Sequence, residues 1–251
     1  MRIALIGTGN LACHLATILE SCNATRLVQW IGRKNTPPKE VPNIPYYTKY
    51  QQDIDADLCL VAITDDAIPH VAEQLKTIDT LVAHTAGALS IDALKPIKRR
   101  GVFYPLQSFR KELNVAWNNT PICLEATNPN DAKILKELAA HLSESVHVIT
   151  ENQRLQLHTA AVFSNNFCNH LLGISQQISH KAALPFSLLH PIIRETFERT
   201  FLHAATALQT GPAKRNDLAT KQKHLSVLSE KDAELYRILS QSIFNTNTHE
   251  L

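Results

Sequence analysis

The chain has 251 residues, 44% of them hydrophobic and 19% charged, the balance of a globular protein able to bury a substantial core in one large domain or two small ones. A formal net charge of only +2 points away from nucleic acid as a partner. No apolar stretch is long enough to span a bilayer, and the N-terminus reads as a strand rather than a signal peptide, so no membrane contact and a cytoplasmic location are expected.

Arg2-Ile3-Ala4-Leu5-Ile6 is a short apolar run with strand character, and Gly7-Thr8-Gly9-Asn10-Leu11-Ala12 follows at once. Apolar residues at Leu11, Leu15, Ile18 and Leu19 then fall at helical spacing. Strand, glycine turn and helix form the GxGxxA variant of the dinucleotide-binding fingerprint. Gly7 permits a tight turn, Gly9 lets a pyrophosphate approach the backbone, and Ala12 lets the helix pack close to the strand. The N–H groups of Thr8, Gly9, Asn10 and Leu11 are placed to meet the phosphates at the positive end of the helix. An ordinary glycine-rich strand-to-helix turn is the plainer alternative.

The second strand is Leu27–Ile31. Where an NAD-specific fold carries an acid for the ribose hydroxyls, this sequence has Gly32-Arg33-Lys34. A guanidinium and an ammonium suit a 2′-phosphate, so NADP is expected and NAD is the lesser candidate. Arg33 and Lys34 as plain solvated loop charges are the alternative.

A proline-rich connection runs from Thr36 to Pro45, and Tyr46-Tyr47 reads as a short strand. Ala56–Ile63 is a buried parallel strand by its near-continuous apolar run, ending in Thr64-Asp65-Asp66. A helix from Ile68 to Leu75 is followed by a strand, Thr80–Ala83, ending in His84-Thr85-Ala86-Gly87. After a helix near Ile91–Lys98 comes Gly101–Tyr104, ending in Pro105-Leu106-Gln107-Ser108-Phe109. Two more strands, Pro121–Glu125 and Val146–Ile149, flank a helix from Pro129 to Leu142. This alternation implies an α/β fold with a doubly wound, mainly parallel sheet. Ligands in such sheets bind outside the carboxyl ends of the strands. Three polar clusters, Thr64-Asp65-Asp66, His84-Thr85, and Tyr104 with Gln107-Ser108, therefore point to one crevice.

Beyond residue 150 the strand signals stop. Glu151 to about Ala182 reads as one long helix with Phe163, Phe167, Leu171, Ile174 and Ile178 in an apolar sector. His158, Val162, Asn165, Asn166, Asn169 and His170 form a second face of neutral polar groups, suited either to a cleft wall or to a helix or dimer contact. Another helix is expected from Pro185 to about Leu208. The loop Gln209–Asp217 comes next, then helices near Leu218–Leu228 and Asp232–Phe244 and a frayed end. The division expected is a dinucleotide-binding domain over 1–150 and an all-α domain over 151–251. The five cysteines form an odd set without CxxC spacing and read as small core residues.

Together these stretches resemble a family of bacterial proteins that join an N-terminal Rossmann-like domain to a helical C-terminal domain of unknown function. The family is similar to pyrroline-5-carboxylate reductase, ketopantoate reductase, prephenate dehydrogenase and deazaflavin-dependent NADP reductase. The resemblance is carried by Gly7–Ala12, His84–Gly87, Tyr104–Phe109, Ser164–His170 and Thr210–Asp217. Asn216 departs from it, because a glycine is usual between the Arg and the Asp. The resemblance implies an NADP-dependent oxidoreductase, often homodimeric through the helical domain, and does not identify the small-molecule substrate.

Hydride transfer needs positioning and one proton group near neutrality. His84 lies at a strand end on the ligand side and is a candidate both for catalysis and for cofactor contact, as Thr64 and Asp65 are for the cofactor. His158 and His170 lie on the helix that related enzymes place over the nicotinamide, and Asn166 would orient a substrate carbonyl or imine. Tyr104 and Gln107 are candidates for substrate contact, and Lys214 and Arg215 for a substrate carboxylate. No GxSxG occurs, and no metal is expected, since His158 and His170 are too far apart on a helix to share one. A reductase or dehydrogenase of small carbonyl or imine compounds and a non-catalytic NADP-binding sensor or scaffold are the two readings. Uncharged polar groups at the nicotinamide end favour the first, and a closed apolar pocket there would favour the second.

Overall fold

The computed structural model describes residues 1–39, 44–49 and 54–248. Residues 40–43 of the proline-rich connection and the terminal residues 249–251 lie outside the described residues. The first half runs β1 (Arg2–Ile6), α1 (Asn10–Ser21), β2 (Arg26–Ile31), β3 (Tyr46–Tyr47), β4 (Leu58–Val61), α2 (Ile68–Gln74), β5 (Leu81–His84), β6 (Arg100–Pro105), β7 (Ile122–Ala126), α3 (Pro129–Leu142) and β8 (Val146–Val148).

These strands form one sheet in the order β3-β2-β1-β4-β5-β6-β7-β8. All neighbours are parallel except β6 and β7, where Phe103 faces Leu124. The order reverses direction between β1 and β4, the switch point at which doubly wound sheets open a ligand crevice. Alternate side chains of β1 serve the two faces. Leu5 packs with Leu15, Trp30 and Leu60 on the side that α1 and α3 cover, and Ile6 packs with Val61, Ile68 and Val71 on the side of α2. Burial on both faces explains why β1 and β4 read as continuous apolar runs.

Three expectations are corrected. The helix near Ile91–Lys98 is a single 3₁₀ turn, Ile91–Leu94, capped by the Ser90 side chain on the Asp92 N–H at 3.2 Å. Pro96 lacks the N–H that would prolong it. The long helix from Glu151 is interrupted: α4 (Glu151–Ala161) leads into a π-helical turn, Val162–Phe167, and α5 (Cys168–Lys181) follows. The helix expected from Pro185 to Leu208 is a 3₁₀ turn, Phe186–Leu189, and α6 (His190–Thr200). Phe201 and Leu202 beyond it are 83% and 79% exposed. The chain closes with α7 (Leu218–Leu225) and α8 (Glu230–Thr248).

By internal packing the chain separates into Met1–Val162 and Phe163–Leu251. The first unit takes α4 with it, because Arg154 on that helix is buried against the sheet. In the second unit only Ala213, Ala233 and Ser240 are buried among the described residues.

Candidate active site

The site begins at the glycine turn between β1 and α1. Gly7 has φ +121°, and a Cβ there would stand 2.0 Å from the Ala62 carbonyl oxygen, so only glycine fits. The Gly7 N–H donates to Ile31 O at 2.8 Å, and the Trp30 indole N–H donates to Gly7 O at 2.6 Å. The turn is thereby clamped to the end of β2. Gly9 occupies the N-cap of α1 in extended conformation, and no side chain caps the helix. A Cβ on Gly9 would meet nothing within 4 Å. The first N–H groups of α1 therefore face open space beside a bare backbone, the arrangement that accepts a phosphate.

A cleft of about 440 Å³ opens here, lined by Gly7, Thr8, Gly9, Asn10 and Leu11, by Gly32 and Arg33 after β2, by Thr64 and His70, and by Thr85 after β5. A smaller cleft of about 270 Å³ adjoins it at Thr8 and holds Lys34, Thr36, Lys39 and Lys111. Among the described residues, no carboxylate lines either cleft. The loop carrying Lys111 is tied to α1, for Asn10 Nδ2 donates to Phe109 O at 3.0 Å and His14 Nε2 to Arg110 O at 2.8 Å. The backbone cradle leaves room for the pyrophosphate of a dinucleotide at α1, and Arg33 and Lys34 follow the end of β2 beside it. Asp65 is exposed on a 3₁₀ turn and lines neither cleft.

His84 is a structural histidine, which corrects its expected roles. It is fully buried and absent from the lining of the cleft. Its Nδ1 accepts from the Ala86 N–H at 3.2 Å, and Nε2 donates to Ser90 O at 3.3 Å. Burial, and after it the charge of Arg154, pushes its pKa down to about 4. A neutral ring with both nitrogens engaged has no proton to exchange with a substrate.

Tyr104 and His158, 54 residues apart, meet: the phenol oxygen lies 2.9 Å from His158 Nδ1. Their rings are edge to face, with centroids 5.9 Å apart. Both rest on Gly87, where a Cβ would stand 2.6 Å from His158 Nδ1 and 2.8 Å from Tyr104 Cζ. Burial raises the phenol to about 12, with Cys123 adding to the rise and Arg154 opposing it. One helical turn before His158, Arg154 is only 1% exposed. It pairs with Glu125 on β7 and donates to Leu89 O at 2.7 Å. Its Nε is buried without a partner. Thr150 and Gln153 begin α4 with a reciprocal capping box. No motif in the sequence marks Arg154, Glu125 or the packing role of Gly87. The available signal was a lone Arg four residues before His158, on the same helix face.

Gln107 is exposed and accepts the Ser108 N–H at 2.8 Å, so it serves its own loop. Asn166, His170, Lys214 and Arg215 all belong to the second unit and are exposed. Asn166 sits in the π-helical turn. His170 borders an apolar groove of about 580 Å³ with Phe163, Phe167, Leu235 and Ile238. Lys214 and Arg215 precede Asn216, whose φ is +52°. This left-handed conformation accounts for the family's usual glycine, and asparagine tolerates it. Asp217 caps α7 by accepting the Thr220 N–H at 3.0 Å, and its bonds from Thr220 hold the carboxyl below the usual range.

Two family models match the chain: a Rossmann-like domain over residues 2–108 and the domain of unknown function DUF2520 over residues 120–243. No curated protein sequence matches it. Among solved structures, a proposed NADP oxidoreductase of Bacteroides fragilis is 33% identical, with TM-score 0.87, 97% of this chain covered and 98% of that one. A protein of Thermotoga maritima is 21% identical, with TM-score 0.70 and 99% of each chain covered. A pyrroline carboxylate reductase of Plasmodium falciparum, solved with NADP bound, is 13% identical, with TM-score 0.62, 97% of this chain covered and 99% of that one. The last two share the fold. The cradle at Gly7 and Gly9, the two matched models and the full-length likeness to the Bacteroides protein agree, and the chain belongs to the family that joins a Rossmann-like domain to a DUF2520 domain.

Proposed function

We propose that this protein is an NADP-dependent oxidoreductase that moves a hydride to or from a small carbonyl or imine metabolite. The observation that carries the reading is the uncapped N-terminus of α1 behind Gly7 and Gly9, a backbone cradle open to a pyrophosphate. The preference for NADP rests on Arg33 and Lys34 after β2, which line the two adjoining clefts. Thr8, Asn10 and Leu11 would hold the diphosphate and Thr64 the nucleoside beyond it. When bound, the nicotinamide supplies the hydride chemistry. Tyr104 and His158 line neither cleft; they are assigned as the uncharged polar groups of the reacting end because they meet each other over Gly87, with Arg154 and Glu125 holding α4 in place. The helical unit, with so few buried residues, is assigned to pairing two copies, and the compartment to the cytoplasm.

The Arg33→Ala/Lys34→Ala variant tests the cofactor assignment. Loss of two charge-assisted contacts to the 2′-phosphate is expected to weaken NADPH binding by about tenfold or more, with NADH binding unchanged. Equal losses for both cofactors would contradict it. A panel of small carbonyl compounds and cyclic imines, followed by NADPH absorbance, tests the reaction itself.

A further inference from the structure

The hydrogen bond between Tyr104 and His158 constrains where a proton can sit. The Nδ1 and Cγ edge of the imidazole lies against Gly87, where a Cβ would stand 2.6 and 2.9 Å from these two atoms. Nδ1 faces the phenol at 2.9 Å. Tyr104 is 8% exposed, and its hydroxyl has no other hydrogen-bond partner among the described residues. A buried hydroxyl hydrogen left unpaired is costly, so the phenol donates and Nδ1 accepts. In the neutral ring the remaining proton is then on Nε2, at the opposite edge, and no described residue bonds to that nitrogen. The phenol's rise to about 12 keeps it a donor across the neutral range. The charged groups nearby are Arg154 and Glu125, which pair with each other, and Cys123 and His84 are buried.

We propose that His158 acts as a hydrogen-bond donor through Nε2, with Nδ1 held as an acceptor by Tyr104, and that the substrate is therefore a carbonyl compound rather than a protonated imine. The inference about substrate rests on the oxidoreductase reading; the tautomer does not. A carbonyl oxygen accepts from Nε2–H and gains negative charge as hydride adds to carbon, so the bond strengthens toward the transition state. A protonated imine brings its own N–H against the donor and loses charge on reduction, so the same group gives it nothing. In the carbonyl reduction the hydride comes from the reduced nicotinamide, the π pair moves onto oxygen, and water supplies the proton that completes the alcohol. His158 stabilises the oxygen and returns unchanged, and Tyr104 is a positioning residue.

Nitrogen-15 NMR of His158 in the cofactor-free protein, assigned by difference from His158→Gln and recorded with the ring neutral, reads the tautomer directly. A bare Nδ1 and a protonated Nε2 are expected; a protonated Nδ1 overturns the proposal. Tyr104→Phe is expected to abolish this preference while leaving the melting transition cooperative, and an unchanged preference would remove Tyr104 from the account. For activity, His158→Gln keeps an N–H donor that cannot titrate and is expected to retain kcat within about tenfold, while His158→Ala loses about 100-fold or more. Equal loss in both variants overturns the donor role. Turnover confined to cyclic imines overturns the substrate class. Failure to bind NADPH would instead sink the oxidoreductase reading and leave the tautomer to the NMR result.

Discussion

His84 and His158 show how little a histidine's place in sequence says about its chemistry. Both stand at the carboxyl side of the sheet, yet one is sealed with both nitrogens bonded and the other keeps one edge free. Burial of His84 has a consequence for stability. Its pKa is about 4 in the fold against 6.5 for the ordinary group. Above pH 6.5 both states are neutral there; between 6.5 and about 4 the unfolded chain binds a proton that the folded one refuses. Stability is thus complete above this window and falls as pH drops through it, by up to about 3 kcal/mol. Urea unfolding of the native protein and of His84→Gln at neutral pH and near pH ~5 checks this; the variant is expected to show the smaller drop. At the glycine turn, Gly7→Ala must meet both a positive φ and the Ala62 carbonyl, with an expected cost of at least about 2 kcal/mol in the same experiment. Gly9→Ala meets no atom and is expected to keep the fold while impairing the cofactor.

At the scale of elements, α4 is held less by apolar burial than by one buried cation. Arg154→Ala leaves Glu125 without its partner and Leu89 O without its donor, and the expected loss is about 3 kcal/mol by thermal or urea unfolding. Replacing both partners by apolar residues, Arg154→Met with Glu125→Leu, is expected to restore part of it, and a double variant worse than the single one would contradict this account. The strands were legible because a parallel sheet covered on both faces needs unbroken apolar runs, as Leu58–Val61 shows. The π-helical turn at Val162–Phe167 was not. Its i→i+5 hydrogen bonds widen the turn and shift the side chains after it, while the four-residue step from Phe163 to Phe167 reads in sequence just as an α-helical one does. The end of α6 at Thr200 was not legible either, since no glycine or proline follows it before Gly211.

For the whole molecule, the glycine turn and the double winding could be read in order from the chain, because each depends on neighbours within a few residues. The pairing of Tyr104 with His158 could not, because these residues, 54 apart in the chain, meet only when α4 docks on the sheet. The same scale governs association. In the helical unit Phe163, Leu188, Ile192 and Leu218 are each more than 60% exposed, a surface that chains rarely leave to water. Sedimentation velocity is expected to find a dimer that persists on dilution, and a monomer at micromolar concentration would contradict the pairing assigned to this unit. The central claim, that the cradle behind Gly7 and Gly9 serves NADP, is tested most directly by calorimetric titration of the native protein with NADPH and with NADH. The account predicts saturable one-site binding of NADPH at least about tenfold tighter than NADH, a margin of about 1.4 kcal/mol. Binding of neither would contradict it.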